Sequence, residues 1–246
     1  MRPIILIPAR LQSVRLPQKM LANIHGKPMI LYALEAAQAA NIGPVYVACA
    51  EEALCEVVEA AGGKAILTDP AHPSGSDRIF EALQKADPTG THDVVINLQG
   101  DLPNVQPSIF KTLLTPFHHD PSYHISTVGF PITNPEEISN SNVVKIILGQ
   151  TATEVTQGTI GTGLYFTRGV PYGEGPFYHH VGVYAYRRHA LERFVALPPS
   201  PLEKRERLEQ LRALENGMRI GVALTTEGPM SVDTPDDLEK ARTLLK

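Results

Sequence analysis

Ile4-Ile5-Leu6-Ile7-Pro8-Ala9-Arg10-Leu11-Gln12-Ser13-Val14-Arg15-Leu16-Pro17-Gln18-Lys19 runs from a continuous apolar stretch into a loop carrying Arg10, Arg15 and Lys19. A short apolar run with no alternation is the pattern of a parallel strand buried on both faces. Ligands of open α/β sheets bind beyond the carboxyl ends of the strands. A cationic loop leaving such a strand suits a polyanion, a nucleoside triphosphate above all. The stretch lacks G-x-x-x-x-G-K-[ST] and G-x-G-x-x-G, so it is neither a P-loop nor a dinucleotide fingerprint. Its charge comes from side chains, with Arg suited to bidentate phosphate contacts and Lys to a point-charge contact. Taken alone, the same residues also fit a solvated basic loop.

The chain that follows keeps an α/β rhythm. An Ala/Leu-rich helix is predicted from Pro28, fading at Asn41 and Gly43. Next come a strand over 45–48, a helix over 51–61 ended by Gly62-Gly63, and a strand at 65–67. A helix over 77–85 and a buried strand over 94–98 complete the series. Helices between short apolar strands imply β-α-β units and a parallel sheet. The second half departs from this. Strands are read at 124–131, 143–148, 164–166 and 181–186, and the glycine-rich 158–163 as a flexible connection. Ser200-Pro201-Leu202-Glu203 is a capped helix start, predicting one helix through Leu208, Leu211 and Leu214 to Asn216-Gly217. A strand at 220–224 precedes a second capped start, Thr234-Pro235-Asp236-Asp237. The expectation is a single domain over residues 1–246 with a β-rich insertion around 120–190.

Composition narrows the function. With 246 residues and 43% hydrophobic content, the chain can bury a sizeable core. A net charge of −4 gives no global basic field, which argues against a nucleic-acid or membrane-surface binder. Any anion site must be local. Cys49 and Cys55, the 2 cysteines, form no C-x-x-C pair and read as reduced thiols. Met1-Arg2-Pro3 leads straight into the strand without a leader's apolar core. No stretch reaches the ~18 apolar residues of a membrane span. A cytoplasmic protein is expected.

Several clusters could carry chemistry. Gln99-Gly100-Asp101 follows the strand over 94–98, where an acid after a glycine turn can hold Mg²⁺ or simply form the turn. Asp233, just before Thr234, is a second such acid or an ordinary cap neighbour. Ser74-Gly75-Ser76-Asp77-Arg78 suits polar recognition at a helix N-terminus, or capping alone. His179-His180 precedes a strand, and on a strand adjacent side chains point to opposite faces. Glu209 and Gln210 lie beside Leu208 and Leu211, where spacing alone reads as a solvated helix face.

Taken in order, these motifs resemble the 3-deoxy-manno-octulosonate cytidylyltransferases, the CMP-Kdo synthetases of lipopolysaccharide synthesis. The resemblance runs over nearly the whole chain: the opening loop, Gly26-Lys27-Pro28-Met29-Ile30, Ser74 to Arg78, and Asn97-Leu98-Gln99-Gly100-Asp101. It continues through Asn142-Val143-Val144-Lys145, Leu164 to Arg168, and His180 to Arg187. Ser200 to Glu203, Leu208-Glu209-Gln210-Leu211-Arg212 and Val232 to Leu238 complete it. The opening loop is shared with other sugar nucleotidyltransferases; the later motifs are more specific. Departures fall at Cys49-Ala50-Glu51, where a Thr-Asp is usual, at Leu102, where an acid is common, at Ser141, and over 150–163.

The resemblance implies a three-layer α/β/α nucleotidyltransferase fold with a mostly parallel central sheet and a β-rich dimerisation insertion. It implies that Arg10 and Lys19 hold the CTP phosphates, with Pro8, Ala9, Ser13, Ser74, Ser76, Arg78 and Gln99 completing the nucleotide site. Asp101 and Asp233 would bind Mg²⁺, so Arg10, Lys19, Asp101 and Asp233 form the catalytic set. Arg15, Gln99, Arg168, His180, Tyr184, Glu209 and Gln210 would line the acid-sugar pocket. The implied partners are CTP, Kdo and a second copy of the chain. With no general base in the matched set, the metal would lower the pKa of the sugar hydroxyl. Two rivals stay open: a cytidylyltransferase for N-acylneuraminate or an amino-Kdo analogue, and a nucleotide-sensing protein without catalysis.

Overall fold

The structure, a computed structural model, describes residues 1–149, 153–155 and 158–246. It forms two compact units, Met1–Phe110 with Pro229–Lys246, and Lys111–Gly228.

The first unit is built on β1 (Pro3–Ala9), β2 (Asn23–Ile24), β3 (Lys27–Pro28), β4 (Val45–Cys49), β5 (Ala65–Leu67) and β6 (Val94–Asn97). The strands β5-β4-β1-β6 lie in that order and pair in parallel. All of β1 is buried, as its unbroken apolar run requires. Between the strands run α1 (Met29–Ala39), α2 (Glu52–Ala60) and α3 (Gly75–Ala86). Gly62, at φ +76°, adopts the left-handed conformation just beyond α2, as anticipated for a helix stop. The chain leaves β1 toward β4 and β5, then returns to pair β6 on the other side of β1. The carboxyl ends of β1 and β6 therefore flank a topological switch point, where such sheets bind ligands. The C-terminal helix Pro235–Leu244 has its predicted capping box at Thr234 and Asp237. Near its end, Arg242 Nη2 donates to Asn23 O at 2.7 Å.

The helix α4 (Ser108–His119) leads into the second unit, which contains β7 (Ile125–Pro131), β8 (Lys145–Leu148), β9 (Thr153–Val155), β10 (Gly158–Thr167), β11 (Tyr178–Arg187) and β12 (Ile220–Leu224). Its helices are α5 (Pro135–Ser139), α6 (Arg188–Ala196), α7 (Pro201–Glu206) and α8 (Gln210–Glu215). The strands run β11-β7-β12-β10-β8, with β12–β7 parallel and its other pairings antiparallel. Because β8 also pairs with β11, the path closes on itself. Lys145 at the start of β8 is fully buried, and its ammonium donates to the carbonyls of Asn140, Val143 and Arg168 at 3.0, 2.8 and 3.0 Å.

Three expectations are corrected here. The glycine-rich 158–163 is not a flexible connection but the first part of β10. Its glycines make room for neighbours: a Cβ on Gly161 would meet Leu148 at 3.4 Å, and one on Gly163 would meet Phe166 at 3.1 Å and Val222 at 3.2 Å. The helix predicted from Ser200 to Asn216 is two helices, broken at Arg207, which takes φ 56°. The His179-His180 pair lies inside β11 rather than before it. Of the poorly matching stretch 150–163, residues 150–152 and 156–157 lie outside the described residues.

Candidate active site

The loop after β1, the turn after β6, the N-terminus of α3 and the segment before the C-terminal helix enclose a cavity of about 380 Å³. Its wall includes Pro8, Ala9, Arg10, Ser13, Arg15, Lys19, Ser74, Arg78, Gln99, Asp101 and Asp233, all expected from the sequence. Ser76 is not on the wall; it is buried in the first turn of α3. His72, Gly75, Met20, Gln12 and Val14 line the cavity without having been singled out. Gly75, Gln12 and Val14 lay inside quoted motifs, whereas His72 and Met20 had no signal beyond nearness to one.

Each polar group has a local reason for its place. Gly100 packs tightly, since a Cβ there would meet the tips of Ile30 at 2.6 Å and Met20 at 3.0 Å and force them to shift. The next residue, Asp101, lines the cavity. Val232 N donates to Asp101 O at 3.0 Å, which brings Asp233 alongside. The Lys19 ammonium sits between the two acids, 2.6 Å from Asp101 and 2.9 Å from Asp233. Burial works against its charge, yet Asp101 and Asp233 outweigh burial and raise its pKa. Burial likewise disfavours the Asp233 carboxylate, but Lys19 and Arg15 hold its pKa below the usual value. Arg15 reaches Asp233 at 2.9 Å while remaining half exposed.

Ser74 does cap α3, accepting from Asp77 N at 3.2 Å. Arg78 is buried, donating to Thr68 Oγ1 at 2.7 Å and Asp69 O at 3.1 Å. Gln99 Nε2 donates to Asn97 Oδ1 at 3.0 Å, which fixes the amide plane. Across the cavity wall, His72 Nε2 lies 2.5 Å from Glu81 Oε2.

A second polar group lies in the other unit. The tilted rings of His180 and Tyr184 lie with centroids 5.3 Å apart, and Phe166 meets the His180 ring edge-on at 4.9 Å. The β11–β7 register shifts between Val181 and Tyr184, a bulge of the kind found beside functional sites. Thr127 closes that irregularity: its hydroxyl lies 2.8 Å from Val183 O and 3.0 Å from His180 Nε2. A hydroxyl has one proton. Given to Val183 O, it leaves His180 Nε2 as donor and Nδ1 as acceptor. Burial, aided by His179, lowers the His180 pKa to about 3, so the ring is neutral. Burial also raises the Tyr184 phenol, with Tyr186 and Glu209 adding to the shift. His179 faces away, stacked on Phe130 at 4.7 Å.

The break at Arg207 starts α8 at Gln210 and buries that residue to 4% exposure, contrary to a solvated helix face. Its Nε2 has no hydrogen-bond partner among the described residues. Arg168 is engaged elsewhere: Nε donates to Glu206 O at 3.2 Å and Nη1 to Ser141 O at 3.0 Å.

A cytidylyltransferase family model matches residues 4–220. A 3-deoxy-manno-octulosonate cytidylyltransferase of Rhodospirillum centenum is 54% identical over 99% of this chain and 93% of its own length. The chain belongs to this family. The corresponding enzyme of Paramagnetospirillum magneticum is 53% identical, covering 99% of this chain and 98% of its own. Among solved structures, a CMP:2-keto-3-deoxy-manno-octonic acid synthetase complexed with CTP superposes with a TM-score of 0.89 at 37% identity, covering 100% of this chain and 98% of that one. A 4-diphosphocytidyl-2C-methyl-D-erythritol synthase from Anaerococcus prevotii, at 12% identity and a TM-score of 0.65, shares the fold over 99% of this chain and 97% of its own. The chain is thus a mixed α/β cytidylyltransferase, a nucleotidyltransferase by class.

Proposed function

We propose that this family member transfers the cytidylyl group of CTP to a 3-deoxy-2-ulosonic acid, Kdo, for lipopolysaccharide synthesis. The observation that carries the reading is the cavity at the β1–β6 switch point, where Arg10, Arg15 and Lys19 meet Asp101 and Asp233. The anomeric hydroxyl loses its proton to water as its oxygen forms a bond to the α-phosphorus and the α-phosphorus–oxygen bond to pyrophosphate breaks. Arg10 and Lys19 neutralise the triphosphate, and Arg15 offsets the repulsion between it and the sugar carboxylate. Ser74, Arg78 and Gln99 offer polar groups to the base, and Pro8, Ala9 and Ser13 shape the loop around the nucleotide. In the second unit, neutral His180, Tyr184, Glu209 and the unpartnered Gln210 amide supply a polar set for sugar hydroxyls.

Asp101 and Asp233 fit a hard divalent cation, because their oxygens already converge on one positive charge, the Lys19 ammonium. When bound there, Mg²⁺ would lower the pKa of the attacking hydroxyl and stabilise charge on the phosphate.

We further propose a cytoplasmic homodimer formed through the β-rich insertion of a single nucleotidyltransferase domain. The exposed Leu164, Val170 and Tyr172 support that face, and sedimentation tests it. Cys49 and Cys55 are free thiols, and among the described residues no helix is long and apolar enough to cross a membrane.

Pyrophosphate release from CTP, with Kdo, 8-amino-Kdo or N-acylneuraminate and with or without Mg²⁺, tests the assignment. Release should require Kdo and Mg²⁺ together. CTP binding without release would refute catalysis, and preference for another acid would refute the sugar. Asp101→Ala or Asp233→Ala turning over near the parent rate at saturating Mg²⁺ would remove the metal role.

A further inference from the structure

The loop between β1 and the Lys19 turn holds the cations of the cavity, yet it is weakly fixed. Among the described residues, two polar contacts, one hydrogen bond and one ion pair, tie residues 10–17 to the rest of the first unit. One is the Arg15–Asp233 ion pair, whose acid is shared with Lys19. The other is Leu11 N, which donates to Glu51 Oε2 at 3.0 Å across 40 residues of chain.

Glu51 is an odd residue to find there. It stands at the N-cap position of α2 with extended backbone, φ −130° and ψ 145°, but its side chain makes no capping hydrogen bond. Helix N-caps favour a short acceptor that bonds the first-turn amides, a contact of about 1 kcal/mol. Here the longer carboxylate reaches back to the loop instead. It also lies close enough to Arg78 to oppose the fall in that group's pKa, which burial drives and Arg10 increases. A carboxylate beside an anion cavity weakens anion binding by repulsion. Its presence calls for a compensating role, and Glu51 is not on the cavity wall.

We infer that Glu51 is a positioning residue for the nucleotide site: its carboxylate anchors Leu11 N and so holds Arg10 and the following loop in the geometry that receives the triphosphate. Glu51 touches no reacting atom and acts through the Leu11 amide. The inference rests on the cytidylyltransferase reading for its kinetic arm only.

The test compares Glu51→Ala, which removes the acceptor, with Glu51→Gln, whose amide oxygen still accepts from Leu11 N without the charge. Losing a hydrogen bond to a charged group should raise KM for CTP about tenfold in Glu51→Ala, with kcat little changed. Glu51→Gln should restore KM to the parent value or below. Hydrogen exchange measured without substrate should show faster uptake over residues 10–18 in Glu51→Ala alone. If Glu51→Ala does not fold, Glu51→Asp, with its carboxylate drawn back by one methylene, should give the same KM rise and faster exchange. A KM in Glu51→Ala equal to that of Glu51→Gln makes the residue merely an opposing charge and overturns the inference. Exchange that rises in α2 but not over residues 10–18 makes it merely a helix residue and does the same. Because exchange needs no turnover, an inactive parent would refute the activity while leaving the anchor to be judged by exchange.

Discussion

Replacing Lys19 with Met isolates the role of one ammonium between two acids. The Lys19 side chain is 11% exposed, Asp101 18% and Asp233 34%, so the cluster lies between a surface pair and a buried one. Exposed pairs contribute up to about 1 kcal/mol. Removing one partner of a buried pair costs about 3–5 kcal/mol, because the remaining charge is stranded. Asp233 retains Arg15 at 2.9 Å and Ser231 at 3.3 Å, whereas Asp101 loses the ammonium at 2.6 Å. Methionine keeps the apolar stem in place. The expected loss is therefore about 2–3 kcal/mol at neutral pH, read by urea denaturation without divalent cations.

Two further readings follow from the same substitution. With Lys19 gone, a divalent cation no longer competes with an internal one, so Mg²⁺ should stabilise Lys19→Met more than the parent, by about 1.4 kcal/mol for each tenfold gain in affinity. The pH profile should change as well. The folded pKa of Asp233 is depressed, so its contribution is present above the ordinary carboxylate value and is lost as pH falls through the lower folded value. The folded pKa of Lys19 is raised, so its contribution is full below the ordinary lysine value and is lost as pH rises through the higher one. Lys19→Met should remove Lys19's contribution to the alkaline limb and move Asp233's contribution to the acid limb to higher pH. A variant as stable as the parent, or one that Mg²⁺ stabilises no more than the parent, would refute the shared-cation reasoning.

Other expectations are more local. Arg212 donates twice to Glu203, at 2.8 and 2.6 Å, with both side chains largely buried, so Arg212→Met should cost about 3 kcal/mol in urea. Glu203 is held at a lowered pKa, burial being outweighed by Arg212 and Ser200, so this stabilisation should fade in the parent as pH falls through the folded value. Gln210→Leu should leave stability unchanged or improved, because the buried Nε2 has no partner among the described residues, while raising KM for the acid sugar about tenfold. The His180 ring, pushed down to about 3, should show no titration by NMR between about pH 8 and about pH 5; a midpoint near the ordinary imidazole value would refute its burial.

The first unit was legible because its strands are unbroken apolar runs and its helices end at recognisable stops. β1, β4, β5 and β6 fall within a residue or two of expectation, and Asp101 follows from the strand–glycine–acid order. The second unit was less so, since its irregularities are imposed by distant residues. Arg207 is driven left-handed where a periodic Leu pattern says helix. The preceding Glu206 is held by Tyr165, Thr167 and Arg168 N at 3.2, 3.1 and 3.0 Å. Those partners lie some 40 residues away, at separations of 41, 39 and 38, so no local window contains them. The bulge in β11 is hidden for the same reason: its Val183 carbonyl is satisfied by the Thr127 hydroxyl, from another strand.

Protonation was the least legible property, and it bears most on how the sugar would be read. A sequence shows His180, Tyr184 and Arg168 as two titratable rings and a cation. In the folded second unit, burial keeps His180 and Tyr184 neutral, and Arg168 is taken up by the carbonyls of Glu206 and Ser141. Beside the Glu209 carboxylate, what remains is a neutral imidazole acceptor, a phenol and the Gln210 amide donor. Such a set matches hydroxyl groups, which both donate and accept, better than a carboxylate, which only accepts. Under the proposed function, the neutral set of the second unit is therefore read as a hydroxyl-recognising group, and the half-exposed Arg15 of the first unit as a partner for a carboxylate. Substituting Arg15 should then penalise every acid substrate alike, whereas substituting Gln210 or His180 should alter the choice among acids that differ in their hydroxyls.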